Sequence, residues 1–256
     1  MKQSFIYQFL DNRRGLLIYW GVLLTMTVMQ LIVRVARPDL LVIDSHLIIV
    51  TSSAYSLVSS FTLFIFGLNW YKPYLGYMVQ NGFSRKTIFA GHLLSAAAVA
   101  GLVGVVDVLF ISFSKGLNSL LDRTDNIWIF EDTALELLFG REWTLPTALL
   151  TILFGFTLIL CTSSLGYLFS ALYYRMNTTG KVAFSIAFPI GLFIVLPLLD
   201  HYLGGHVAGF VELLVLDVVL ASPAGLILTL LASAAVLSLL AWPLVRRAPI
   251  KQNFVV

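Results

Sequence analysis

Six stretches of this 256-residue chain are long, apolar and almost free of charged side chains, at 16–33, 47–68, 89–113, 145–168, 182–199 and 220–245. A helix needs roughly 20 apolar residues to cross a hydrocarbon core. Inside that core every backbone N–H and C=O must find its partner within the protein. The runs therefore predict an all-α polytopic membrane protein with six transmembrane helices. Transmembrane β-strands would be shorter and strictly alternating. The first run is too long for a signal-peptide core and no small-residue cleavage pattern follows it, so it counts as a helix. What remains between the runs is too short for a soluble domain, and 1–256 reads as a single transmembrane domain.

Composition agrees. Hydrophobic residues make up 59% of the chain and charged residues 11%, where soluble domains hold about 45–50% and about 25%. So little polar surface cannot cover a globule in water, which excludes a cytosolic enzyme and a nucleic-acid-binding module. The single cysteine, Cys161, lies in the fourth run, so no intrachain disulfide can form.

Lys and Arg set the expected sidedness. Eleven (Lys2, Arg13, Arg14, Lys72, Arg85, Lys86, Arg175, Lys181, Arg246, Arg247 and Lys251) fall on one side, and Arg34, Arg37, Lys115, Arg123 and Arg141 on the other. Of the thirteen acids, Asp11 alone shares the basic side and Asp107 lies within the third run. The balance is +10, −6 and −1 in the membrane, matching a net charge of +3. Both termini are expected in the cytoplasm.

Residues 1–14 place Phe5, Ile6, Phe9 and Leu10 at i, i+1, i+4 and i+5, beside Lys2, Asp11, Arg13 and Arg14. That pattern predicts a short amphipathic helix in the cytoplasmic interface. Between the second and third runs, Tyr74, Leu75, Met78 and Val79 share one helical face. Asn81-Gly82 reads as a helix stop, and Ser84 as the N-cap of the helix carrying Arg85 and Lys86 into the third run. A short cytoplasmic helix with apolar knobs would offer a surface to a partner; a loop with interfacial aromatics would share the composition.

The loop 114–144 is long and acidic, with a capping-box pattern at Thr133-Ala-Leu-Glu136. Between the fifth and sixth runs, Gly204, Gly205 and Gly209 with Glu212 and Asp217 predict a short extracellular helical hairpin. Pro189 and Pro197 predict a bent fifth helix.

Catalytic patterns are lacking in the sequence. Gly180-Lys181 is followed by valine and lacks the leading glycine of a P-loop. The runs hold no Ser–His pair, no paired aspartates and no H-E-x-x-H. Ser163 and Ser164 fit hydroxyls bonding back to helix carbonyls. Asp107 is the one acid inside a run, a position that by default marks function, although it lies towards the outer end. His46, His201 and His206 fit no standard metal spacing, and His92 reads as a packed or interfacial residue. Small-residue pairs such as Ala100 and Gly104 allow close helix approach.

The layout resembles an ABC-2 type permease, the membrane subunit of an ABC exporter. Asn81-Gly-Phe-Ser-Arg-Lys-Thr-Ile-Phe89 is similar to the G-x-S-R-x-x-x-F entry to the third span in such subunits from Gram-positive bacteria. The resemblance implies that Phe5, Phe9, Arg13 and Arg14 belong to an elbow helix. It implies a coupling helix, with Lys72, Tyr74, Leu75, Met78, Asn81, Gly82, Phe83, Ser84 and Arg85 docking onto a separate ABC ATPase subunit. Two ATPase copies would carry ATP and Mg, and this chain would bind no cofactor. A second permease copy or a paralogue would complete the pathway in the cell membrane for a peptide, drug or lipid. Two other expectations stand beside this one. The chain could be an ion-coupled secondary transporter using Asp107, or a non-transporting immunity or assembly partner.

Overall fold

The computed structural model describes residues 2–36, 54–120, 144–206, 209 and 222–248. Among them the chain is all-helical, without a strand. In order come α1 (Lys2–Ala36), α2 (Ala54–Gln80), α3 (Arg85–Leu120), α4 (Leu145–Arg175), α5 (Thr178–Tyr202) and α6 (Pro223–Arg246). Among the described residues four helical stretches are long and apolar enough to cross a membrane: Arg85–Phe110, Leu145–Arg175, Thr178–Tyr202 and Pro223–Arg246. A shorter apolar stretch, Val58–Asn69, lies in α2. Part of the expected second span, residues 47–53, lies outside the described residues, as does most of the acidic loop with Thr133 and Glu136.

The N-terminal helix departs from expectation. In place of a short interfacial helix followed by a span, α1 is one helix of 35 residues, about 52 Å long. Gly15 lies within it as a point of close approach to α2: a Cβ there would lie 2.6 Å from Phe66 Cζ. The buried stripe also differs. Ser4, Gln8, Leu16, Tyr19 and Leu23 face inward, at helical spacing, while Ile6 and Leu10 are exposed.

The expected free-standing helix at 72–84 is likewise absent as a separate element, since α2 continues to Gln80. The reason is burial: Leu63, Leu75 and Met78 lie on one face of α2, each no more than 2% exposed. Leu75 and Met78 pack with Ile88, Tyr167, Ala171, Ala241 and Val245. They are core residues of this chain, and neither is presented at its surface.

Helix α4 is central, packing against α2, α3 and α6. Half of its buried positions are hydroxyl residues, namely Thr151, Thr157, Ser163, Ser164 and Ser170. Thr151 Oγ1 donates to Thr147 O at 2.8 Å and Ser164 Oγ to Leu160 O at 2.8 Å. Such back-bonding satisfies the hydroxyls without water. Ser170 Oγ instead donates across to Leu68 O of α2 at 2.6 Å.

Helix α5 stands apart. It runs through Pro189 and Pro197 by way of a π-helical turn, Gly191–Val195. The wider turn accommodates the irregular hydrogen bonding that two prolines impose. None of the residues of Thr178–Ile190 or Leu196–Tyr202 is buried. Its contacts to α4 are aromatic, Phe184 and Phe188 against Phe169 and Phe184 against Tyr173, together with Tyr173 Oη and Ser185 Oγ at 2.6 Å. Beyond Leu203, Gly204 and Gly205 have φ of 71° and 81°, the left-handed region a turn needs. Gly209 N donates to Gly205 O at 2.9 Å. Glu212 and Asp217 lie outside the described residues.

Candidate functional site

The basic end of the bundle gathers four helix termini. Helix α2 closes in a Schellman motif: Phe83 N donates to Met78 O and Gly82 N to Val79 O, both at 3.0 Å. Gly82 supplies the left-handed residue, with φ of 80°, and Phe83 packs back onto the cluster that holds Met78. Both features belong to this kind of helix stop. Ser84 then caps α3, its Oγ accepting from Thr87 N at 3.2 Å. The Asn81-Gly82 stop and the Ser84 cap are thus where the sequence placed them.

The start of α1 is stitched to this corner. Gln8 Nε2 donates to Ile88 O at 3.3 Å and contacts Met78 Sδ at 3.4 Å and Ser4 Oγ at 3.2 Å. Ser4 Oγ reaches Thr87 O at 3.4 Å. On the other side Arg85 Nη1 donates to Arg246 O at 2.5 Å. A guanidinium there satisfies a terminal carbonyl of α6 and meets the negative end of its dipole. The first turns of α1 and α3 and the last turns of α2 and α6 therefore form one joint.

Its outer surface is polar and aromatic. Tyr77 is half exposed and stacks on Tyr7 at 5.3 Å. Gln80, Asn81, Gly82, Ser84 and Lys86 are exposed, and Phe83 and Arg85 are half-buried. Phe5 and Phe9 stack on each other at 5.7 Å, and Arg13 is exposed. The side chains of Arg14, Lys72 and Tyr74 lie outside the description. Sequence reasoning missed Ser4 and Gln8, because two polar residues on a predicted apolar helix carry no local sign of burial.

A second polar cluster sits towards the far end of the spans. Ser59 Oγ lies 3.1 Å from Asp107 Oδ2 and hydrogen-bonds Tyr19 Oη, which joins α1, α2 and α3. Among the described residues Asp107 Oδ1 is buried without a hydrogen-bond partner. Asp107 thus has a partner, Ser59, that the sequence did not name, and Tyr19 reaches it only through Ser59. His92 is 2% exposed and its ring stacks on Tyr167 at 3.8 Å, the packed position expected of it.

No protein-family profile, curated protein or solved structure matches this chain.

Proposed function

We propose that this chain is the permease subunit of an ATP-driven exporter of the ABC-2 type, with six spans, cytoplasmic termini and a separate ATPase docking on the joint at 77–86. The observation that carries this reading is the joint itself. An exposed tip, with Tyr77, Gln80, Asn81 and Ser84 on it, is fastened by hydrogen bonds to the ends of α1, α2, α3 and α6. Force applied to the tip by a partner closing on ATP reaches four helices together, and the pathway opens between permease halves. Docking falls to Tyr77, Gln80 and Asn81, since Leu75 and Met78 are committed to the core.

The absence of buried residues in Thr178–Ile190 and Leu196–Tyr202 supports assembly with a second copy or a paralogue, because an apolar helix with so few neighbours has a face to offer. Basic residues at the joint support its cytoplasmic placement in the cell membrane. The apolar spans favour an amphipathic or hydrophobic cargo such as a peptide, drug or lipid. Purification of the tagged chain from its native membrane tests the class. A stoichiometric P-loop ATPase in the eluate is expected, and recovery of the chain alone after gentle extraction overturns the reading.

The cluster at Asp107 favours one alternative, an ion-coupled carrier, because a buried carboxylate oxygen without a partner among the described residues can bind a proton or cation.

A further inference from the structure

A groove of about 710 Å³ runs along the flank formed by α3, α4 and α6, open on one side. That volume falls in the range of small-molecule pockets, about 300–1,000 Å³. Its walls are almost wholly apolar, and Ala97, Ala234 and Ala235 keep it open where larger side chains would fill it. Lys86, at the first turn of α3, is the one charged residue of the lining and lies at the same end as Trp242.

Three features select an occupant. From Lys86 to Ala97, and from Leu231 to Trp242, the groove follows eleven residues of helix, about 17 Å. One leaflet of a hydrocarbon core about 30 Å thick has nearly that depth. Secondly, away from Lys86 and Trp242 the wall offers a peptide little to bond: Ser164 Oγ donates to Leu160 O and Ser238 Oγ to Ala234 O, each at 2.8 Å. A peptide backbone pressed into it would leave its own amides unpaired. Thirdly, the single cation stands at the end where Arg246 and Arg247 also lie, at headgroup depth on the basic side of the bundle.

We infer that the groove is a binding site for one anionic phospholipid of the cytoplasmic leaflet, its phosphate at Lys86 and an acyl chain against Ala97, Ala235 and Trp242. The inference requires the basic end to face the cytoplasm and is independent of the exporter reading. It makes the joint sensitive to bilayer composition, because Lys86 follows Arg85, which holds the end of α6.

The test uses the full chain in nanodiscs with Trp242 as its only tryptophan, Trp20, Trp70, Trp128 and Trp143 being replaced by Phe. Phosphatidylglycerol or phosphatidylcholine with brominated chains is titrated in, and quenching of Trp242 is read. Phosphatidylglycerol is expected to be preferred about fivefold, the effect of one lysine at an anionic surface. Lys86→Gln is expected to remove that preference. Ala235→Phe is expected to weaken both lipids by about fifteenfold, as two methylenes lose their wall. Equal quenching by the two lipids, or a preference that survives Lys86→Gln, overturns the inference. No quenching by either lipid means that a protein segment fills the groove, which overturns it as well. Should the tryptophan-reduced chain fail to fold, native mass spectrometry of the unaltered chain and Lys86→Gln in an equal mixture of the two lipids gives the same comparison.

Discussion

Gly67 of α2 and Gly166 of α4 meet so closely that a Cβ on either would lie 3.1 Å from the other's Cα and would strike a backbone carbonyl, Ser163 O or Phe64 O. Lipid tails are as apolar as the helices they surround, so helices associate in a bilayer through close approach and not through exclusion of water. The crossing of these two glycines is the closest form that approach can take.

Gly166→Leu is therefore expected to destabilise the chain by about 1–3 kcal/mol, the usual cost of overpacking. Thermal unfolding of purified protein in detergent, followed by the surviving monodisperse peak, measures it. Gly76→Ala serves as the contrast. Nothing lies within 4 Å of a Cβ at that position, so its melting temperature should hold or rise.

At the joint, Gly82→Val places a branched side chain at φ of 80°, with a cost of at least roughly 1–2 kcal/mol. Gly82→Asn should be better tolerated, since asparagine enters that region more readily. Ser84→Ala removes the α3 cap for about 1 kcal/mol. Chemical denaturation of the three variants in mixed micelles should rank them with valine lowest.

Tyr77→Asp paired with Asn81→Asp alters the exposed tip and leaves the core alone. The double variant should insert and fold as the parent does, yet lose the ATPase in co-purification. Undiminished ATPase recovery would remove the docking assignment.

Ser59 and Asp107 give a separate prediction. Asp107→Asn keeps a partner for Ser59 and removes an ionisable group from a membrane helix, where such groups are costly. Stability should be unchanged or higher, and ATP-driven export in vesicles should persist. Loss of transport with normal ATPase binding would identify ion coupling. Ser59→Ala should cost about 1 kcal/mol through the lost hydrogen bonds.

Gln8→Ala strips three contacts from one buried amide and should loosen the start of α1, at about 1–3 kcal/mol. Limited proteolysis near Arg13 should accelerate in this variant while the spans stay protected.

Local chemistry was the legible part. Asn81, Gly82 and Ser84 announce a stop and a start because the turn they make depends on neighbours a few residues away. Pro189 and Pro197 predict a bend in the fifth helix for the same reason, and a π-helical turn, Gly191–Val195, stands between them. Burial across helices was not legible. Gln8 is drawn inward by Met78 and Ile88, 70 and 80 positions along the chain, and Leu75 by Tyr167 and Val245. Ile6 and Leu10 carried an apolar pattern that misled, since in a bilayer the apolar side of a helix can be the outside. Gly67 and Gly166 sit on different helices, and no spacing within either run announces their meeting. Ala100 and Gly104 were visible as a pair within one helix, but Gly104's counterpart is the backbone of Ile152.

A helix whose described residues are all unburied carries its constraints elsewhere. In Thr178–Ile190 and Leu196–Tyr202 a lone chain in lipid would accept almost any apolar replacement apart from the Phe184, Ser185 and Phe188 contacts, Asp200 and the two prolines. Saturation mutagenesis of that stretch in living cells would then act as a map of company. Every further position that refuses an apolar exchange marks where another molecule rests against the chain.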